Sequence, residues 1–263
     1  MDLSIVIGDW PHDDKDESTN VRKVMGVDGT MKIQLRIRSG VIQWDIDGRP
    51  DSTKPHGFPT VLDYCIYLLA HPSSSGGGAE ESQSELSAEL VSELAEELFD
   101  YYRRSRALFY LADYRRALSD AVHNLKILRL IRECCADEAI VFSYDRYRPS
   151  LVVDRSRAEM LLHLRGGDTR KALDALNNGI RDVEAFCIEY ELEDQWGDNP
   201  ERQILIDLRR SLREKHSVPL NDEELLQSLK VEQEIAIRRE NYEMAARLRD
   251  KINSLLQKIG AHK

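Results

Sequence analysis

The sequence predicts a mainly α-helical α+β protein in three parts: a small N-terminal module built on a β-hairpin, a helical domain and a C-terminal pair of helices. Three observations carry this. Apolar and polar residues alternate between Met31 and Ile46, the period of a half-buried strand. From Glu85 onward the apolar spacing changes to threes and fours, the period of helices. Between the two textures lies His71-Pro72-Ser73-Ser74-Ser75-Gly76-Gly77-Gly78, a tract that offers almost nothing to pack.

Met31, Ile33, Leu35 and Ile37 form one strand of the hairpin, Ser39-Gly40 the turn, and Ile42, Trp44 and Ile46 the other strand. Residues 3–7, Leu-Ser-Ile-Val-Ile, are expected to add a third strand. Asp47-Gly48-Arg49-Pro50-Asp51 is a turn-forming cluster. Thr60 is placed to cap a short helix over 61–70, which is expected to cover the sheet with Leu62, Ile66 and Leu69. These elements make a module over residues 1–70, followed by a linker over 71–84.

Residues 85–215 read as helices. Asp113-Tyr114-x-x-Ala117-Leu118 recurs as Asp168-Thr169-x-x-Ala172-Leu173, each opening a helix after a tight turn. Small alanines on the packing face, behind an antiparallel helix, make this region similar to tetratricopeptide-type (TPR-like) hairpins, although the regular repeat length is missing. A plain helical bundle fits the same pattern.

Residues 221–258 read as two helices folded together. Leu225, Leu229 and Ala236 share a stripe on the first. On the second, Tyr242, Ala245, Leu248, Ile252 and Leu255 follow steps of three, three, four and three, a coiled-coil seam. Asn221 or Asp222 is placed to cap the first helix, and the turn falls at Arg239-Glu240-Asn241. The run Asn241-Tyr242-Glu243-Met244-Ala245-Ala246-Arg247-Leu248-Arg249-Asp250-Lys251-Ile252 resembles the UVR motif, an aromatic-Glu-x-Ala-Ala-x-Leu-Arg-Asp-x-Ile pattern after a Leu-rich helix. That motif occurs in the B and C subunits of the bacterial excision nuclease, in C-class Clp ATPases and in an adaptor of protein-arginine kinase. The N-terminal stretch Ile42-Gln43-Trp44, Gly48-Arg49-Pro50-Asp51 and Pro55-His56-Gly57 is similar to the leading module of bacterial UVR-motif proteins.

The resemblance implies docking, hairpin to hairpin, with another UVR-bearing protein or a second copy. It places partner contacts on Leu225, Leu229, Ala236, Tyr242, Glu243, Ala245, Ala246, Leu248, Arg249, Asp250 and Ile252, with the apolar seam as the binding surface. By the same resemblance the pathway is DNA excision repair or regulated proteolysis. No G-x-x-x-x-G-K-[ST] loop and no nuclease signature occur, so only the docking element of the excision nuclease is shared.

Composition narrows the class. Of the 263 residues 41% are apolar and 32% charged, as in a soluble helical protein. No apolar run approaches bilayer length, and the start lacks a basic, apolar leader, so a cytoplasmic protein is expected. Cys65, Cys134, Cys135 and Cys187 form no C-x-x-C pair, which leaves neither a metal site nor a cofactor to expect. The net charge of −10 opposes general nucleic-acid binding. Between Tyr101 and Lys171, however, fifteen bases face nine acids. Arg103, Arg104, Arg106, Arg115 and Arg116 are therefore candidates for phosphate contact, as an alternative to a solvated face paired with its own acids. The Tyr144-Asp145-Arg146-Tyr147-Arg148 run reads as an interhelical loop anchored by its tyrosines. His56, with Arg49 and Asp51 in one loop, is the remaining candidate for an unusual site. No nucleophile–base set can be assembled from spacing, so no reaction is predicted and the chain is expected not to be an enzyme.

Overall fold

The computed structural model describes residues 7–71, 85–192, 199–220, 222–238 and 241–260. The chain divides into two compact units, residues 1–209 and 210–263. The Ser/Gly tract, residues 3–6 of the expected third strand, Asn221, Arg239 and Glu240 lie outside the described residues.

The first unit opens on a three-stranded antiparallel meander: β1 (Val21–Met25), β2 (Met31–Ile37) and β3 (Gly40–Asp45). Registers Ile33↔Trp44 and Leu35↔Ile42 place the alternating apolar residues on one face, as the period requires. The third strand is β1, which the sequence reading missed. Only Val21 of its five residues is buried, so it carries no clear alternation. The β1–β2 turn needs Gly29, whose φ is +74°. Lys32, buried on β2, is held by Asp28 at 2.8 Å and by Asp45.

Among the described residues, this unit continues with the helices α1 (Val61–Ala70), α2 (Ala88–Tyr110), α3 (Tyr114–Cys134), α4 (Glu138–Asp145), α5 (Arg148–Arg165) and α6 (Thr169–Glu189). α7 (Pro200–His216) begins in it. The sheet buries Val21, Ile33, Trp44 and Ile46 against Ala107 and Leu108 of α2 and Ala117 of α3. Helix α1 does not cover the sheet, as the sequence suggested. Its Val61, Leu62 and Cys65 enter a separate cluster with Val91 and Leu94 of α2 and Ile127 and Ile131 of α3, while Ile66 is half exposed. The cause is electrostatic. The buried Glu97 carboxylate on α2 accepts from the backbone N–H groups of Val61 (2.7 Å) and Leu62 (3.3 Å), so it holds the positive end of α1. Thr60 caps α1 through Asp63 N, as expected.

The repeated sequence element maps onto two helical hairpins, α2–α3 and α5–α6. Each turn has the same wiring. Asp113 N donates to Leu108 O and Asp168 N to His163 O, both at 2.9 Å. The preceding Ala112 and Gly167 have φ of 53° and 77°. This is a Schellman-type ending. Gly179 lets α6 approach α5 closely, since a Cβ there would stand 2.2 Å from Ser156 Oγ. Among the described residues no helix is long and apolar enough to cross a membrane.

Candidate docking interface

In the second unit α8 (Asp222–Arg238) and α9 (Tyr242–Gly260) pack side by side. Asn241 starts α9 by accepting from Met244 N at 3.2 Å through Oδ1, while its own N–H closes α8 on Ala236 O at 2.9 Å. Ala236, Ala245 and Leu248 form the buried centre of the hairpin, with Leu229 packed against it. Ile252 and Leu255 are buried further along α9. Two alanines face each other where the chain has just reversed, which allows the backbones to approach. Gln233 Nε2 reaches Ala245 O at 3.4 Å, and Lys258 lies 3.1 Å from Asp222 at the open end.

This closure changes the meaning of the seam. Of the eleven residues expected to contact a partner, Leu229, Ala236, Ala245, Leu248 and Ile252 are used inside the hairpin. Leu225, Tyr242, Glu243, Ala246, Arg249 and Asp250 remain exposed. Tyr242, Ala246, Arg249, Asn253 and Leu256 follow steps of four, three, four and three, so they form a second stripe, and all are exposed. Tyr242 is 67% accessible, and Ile237 and Met244 add exposed apolar surface near the turn. The charges beside the stripe pair locally, Arg247 with Glu243 at 2.7 Å and Arg249 with Asp250 at 3.2 Å.

The arginine candidates separate in the same way. Arg104 is 3% exposed and forms a two-pronged bond to Asp120 (2.7 and 2.9 Å), and it also donates to Asp45 O. It ties sheet to helices, and its burial keeps it from an external phosphate. Arg116 is paired with Asp47 (2.7 Å) and Asp113 (3.0 Å). The Arg116 bond holds Asp47 below the usual carboxylate range. Arg106 lies 3.7 Å from Asp154, whose carboxyl burial pushes up. Arg103 and Arg115 are exposed.

The loop candidates Arg49, Asp51 and His56 come together around a joint that the sequence reading did not assemble. Arg49 bridges Asp51 (2.9 Å) and Glu97 (3.2 Å). Glu97 also meets His123 Nε2 at 2.9 Å, and His56 Nε2 lies 2.7 Å from Glu93 while its ring stacks on Tyr64. Glu97 therefore faces two backbone donors, a guanidinium and an imidazole, which suits a structural clasp between α1, α2, α3 and the loop. A signal was present: Leu94, Glu97, Tyr101, Arg104 and Leu108 are spaced as a core stripe and all are buried, so two charged residues occupy core positions. Burial pushes the Cys65 thiol up to about 12, which removes it as a nucleophile.

The family model described as UvrB/uvrC motif matches residues 223–258, the span of this hairpin. No curated protein and no solved structure matches the chain. The two-helix hairpin that ends this chain is therefore a UVR motif, carried behind an α+β, mainly helical body.

Proposed function

We propose that this chain is a cytoplasmic, non-catalytic docking protein whose C-terminal hairpin engages a second UVR hairpin, on another protein or on its own twin. The observation that carries the reading is the exposed stripe Tyr242, Ala246, Arg249, Asn253 and Leu256 on a hairpin whose apolar seam is already closed. A small two-helix unit gains stability by covering such a face. The small Ala246, one turn from Tyr242, gives a partner helix room to approach, and an aromatic and a leucine at the ends supply anchors. The helical body then serves as a divergent TPR-like scaffold, and the joined process is DNA excision repair or regulated proteolysis. Nucleic-acid contact is secondary in this reading, because two of the five arginine candidates are committed to carboxylates within the fold.

The test is co-purification with the full chain and with Ala246→Arg, which replaces the small residue one turn from Tyr242 with a long cation without touching the seam. The expected result is capture of a UVR-bearing protein, or of a differently tagged copy, by the native chain and its loss in the variant. Equal capture by both would remove the stripe from the account.

A further inference from the structure

Two clefts adjoin on one side of α2 in the first unit. One, about 450 Å³, is lined by Leu98, Phe99, Tyr102, Tyr144, Tyr147 and Leu151. The other, about 400 Å³, lies between α2 and the β2–β3 strands, and its walls carry His12, Arg36, Arg103 and Arg106. Both sizes are those of ligand sites. Tyr102 lines both, so they are two halves of one groove, aromatic at one end and cationic at the other.

The cations are incompletely neutralised. Arg103 lies near Asp100, whose carboxyl feels its charge, and its guanidinium rests on Phe99, 4.0 Å from the ring centroid. Arg36 is held by the carbonyl oxygens of Trp10, Ile37 and Gly40, which orient its charge without cancelling it. Arg106 lies 3.7 Å from Asp154 and also bonds with the Tyr110 side chain. Glu17, the carboxylate on the groove wall, is bonded to the Tyr110 hydroxyl, and Asp14 lies beside His12. In a chain of net charge −10, this is a local concentration of positive charge.

We infer that this groove docks an extended peptide segment of a partner protein, a bulky apolar side chain entering the aromatic half and acidic side chains meeting Arg103 and Arg106. Phe99 and Arg106 are seven residues apart on one helix, roughly 10 Å along its axis, which an extended peptide spans in about three residues. The carboxylates therefore belong about three positions from the apolar anchor. Charge complementarity selects an acidic peptide over a basic one. A single-stranded nucleic acid fits less well. One face each of Phe99 and Tyr147 already carries a guanidinium group, from Arg103 and Arg146 at 4.0 and 5.0 Å, which leaves these rings less surface for base stacking.

The experiment is fluorescence anisotropy on the full chain with labelled ten-residue peptides and a labelled ten-nucleotide oligo-dT. One peptide carries Leu-Phe followed three residues later by three glutamates. A second has lysines for the glutamates, and a third has serines for Leu-Phe. The first is expected to bind at least about tenfold more tightly than the others. Arg103→Glu should weaken it about tenfold and shift preference toward the lysine peptide, a reversal that misfolding cannot produce. Tyr242→Ser in the hairpin should leave peptide binding unchanged, which separates this site from the hairpin reading. Equal affinity for all three peptides, absence of binding, or tighter binding of oligo-dT would overturn the proposal.

Discussion

Leu248→Ala dissects the hairpin most cleanly. Leu248 is 2% exposed and packs in the cluster of Ala236 and Ala245 with Leu229 beside it. The substitution removes three carbons from a buried site, about 2.4 kcal/mol at about 0.8 kcal/mol per carbon. A short two-helix hairpin can draw together around the space, so the cavity adds little. A unit of this size holds no more than about 3–5 kcal/mol from its core. The loss therefore raises hairpin opening roughly 60-fold and uses most of the available stability. Hydrogen exchange with peptide-level resolution is the assay. Amides of α8 and α9 should lose protection, while those of α2, α3, α5 and α6 keep theirs. Tyr242→Ser, on the exposed stripe, should leave α9 protected, since it keeps the Asn241 cap and exposed substitutions change stability by about 0.5 kcal/mol or less. Unchanged protection in Leu248→Ala would refute the assignment of the seam to the interior of the hairpin.

Other outcomes follow from the first unit. Glu97→Ala strips the acceptor from two backbone N–H groups and from Arg49, and should cost about 3–5 kcal/mol in urea unfolding; a loss below about 1 kcal/mol would deny the clasp its role. Asp47 titrates below its ordinary value of 3.8 because of its bond from Arg116. Its contribution is therefore present above pH 3.8 and lost as pH falls through the depressed value, so Arg116→Gln should flatten the acid limb of the stability profile measured by urea unfolding at stepped pH. A site-specific protease site placed between Ser73 and Gly78 should yield two pieces that stay together in gel filtration, because the sheet and α1 share their cores with α2 and α3.

The sequence rules succeeded where periodicity and burial agree. β2 and β3 share one apolar face, on which Ile33 and Trp44 are buried, so period two is visible in the apolar residues, and the α9 seam repeats with coiled-coil spacing. The common turn at Asp113 and Asp168 was legible because a Schellman ending demands particular residues at fixed offsets. What was missed depends on long-range pairing. Val21–Met25 is a strand only because β2 lies beside it. Helix α1 was assigned to the sheet from its apolar stripe alone, and nothing in that stripe reveals that Glu97, far along the chain, draws its N-terminus elsewhere. Glu97 and Arg104 read as surface charges until their partners are placed. In the hairpin, spacing identified most of the apolar seam but also placed Leu225 and Tyr242 on it, which are exposed, and could not say whether the other helix or a partner covers it. The exposed stripe through Ala246 became visible once the seam was seen closed.

The most direct test of the docking claim is quantitative capture from lysate by full-length chain, comparing the native stripe with the double change Tyr242→Ser and Leu256→Ser at near-physiological salt. Hydrogen exchange on the same samples establishes that the seam is intact. The account predicts that the native chain retains a UVR-bearing protein or a second copy of itself, and that the variant, equally folded, retains at least about tenfold less. Equal retention by the two chains, or no such protein held by the native one, would contradict it.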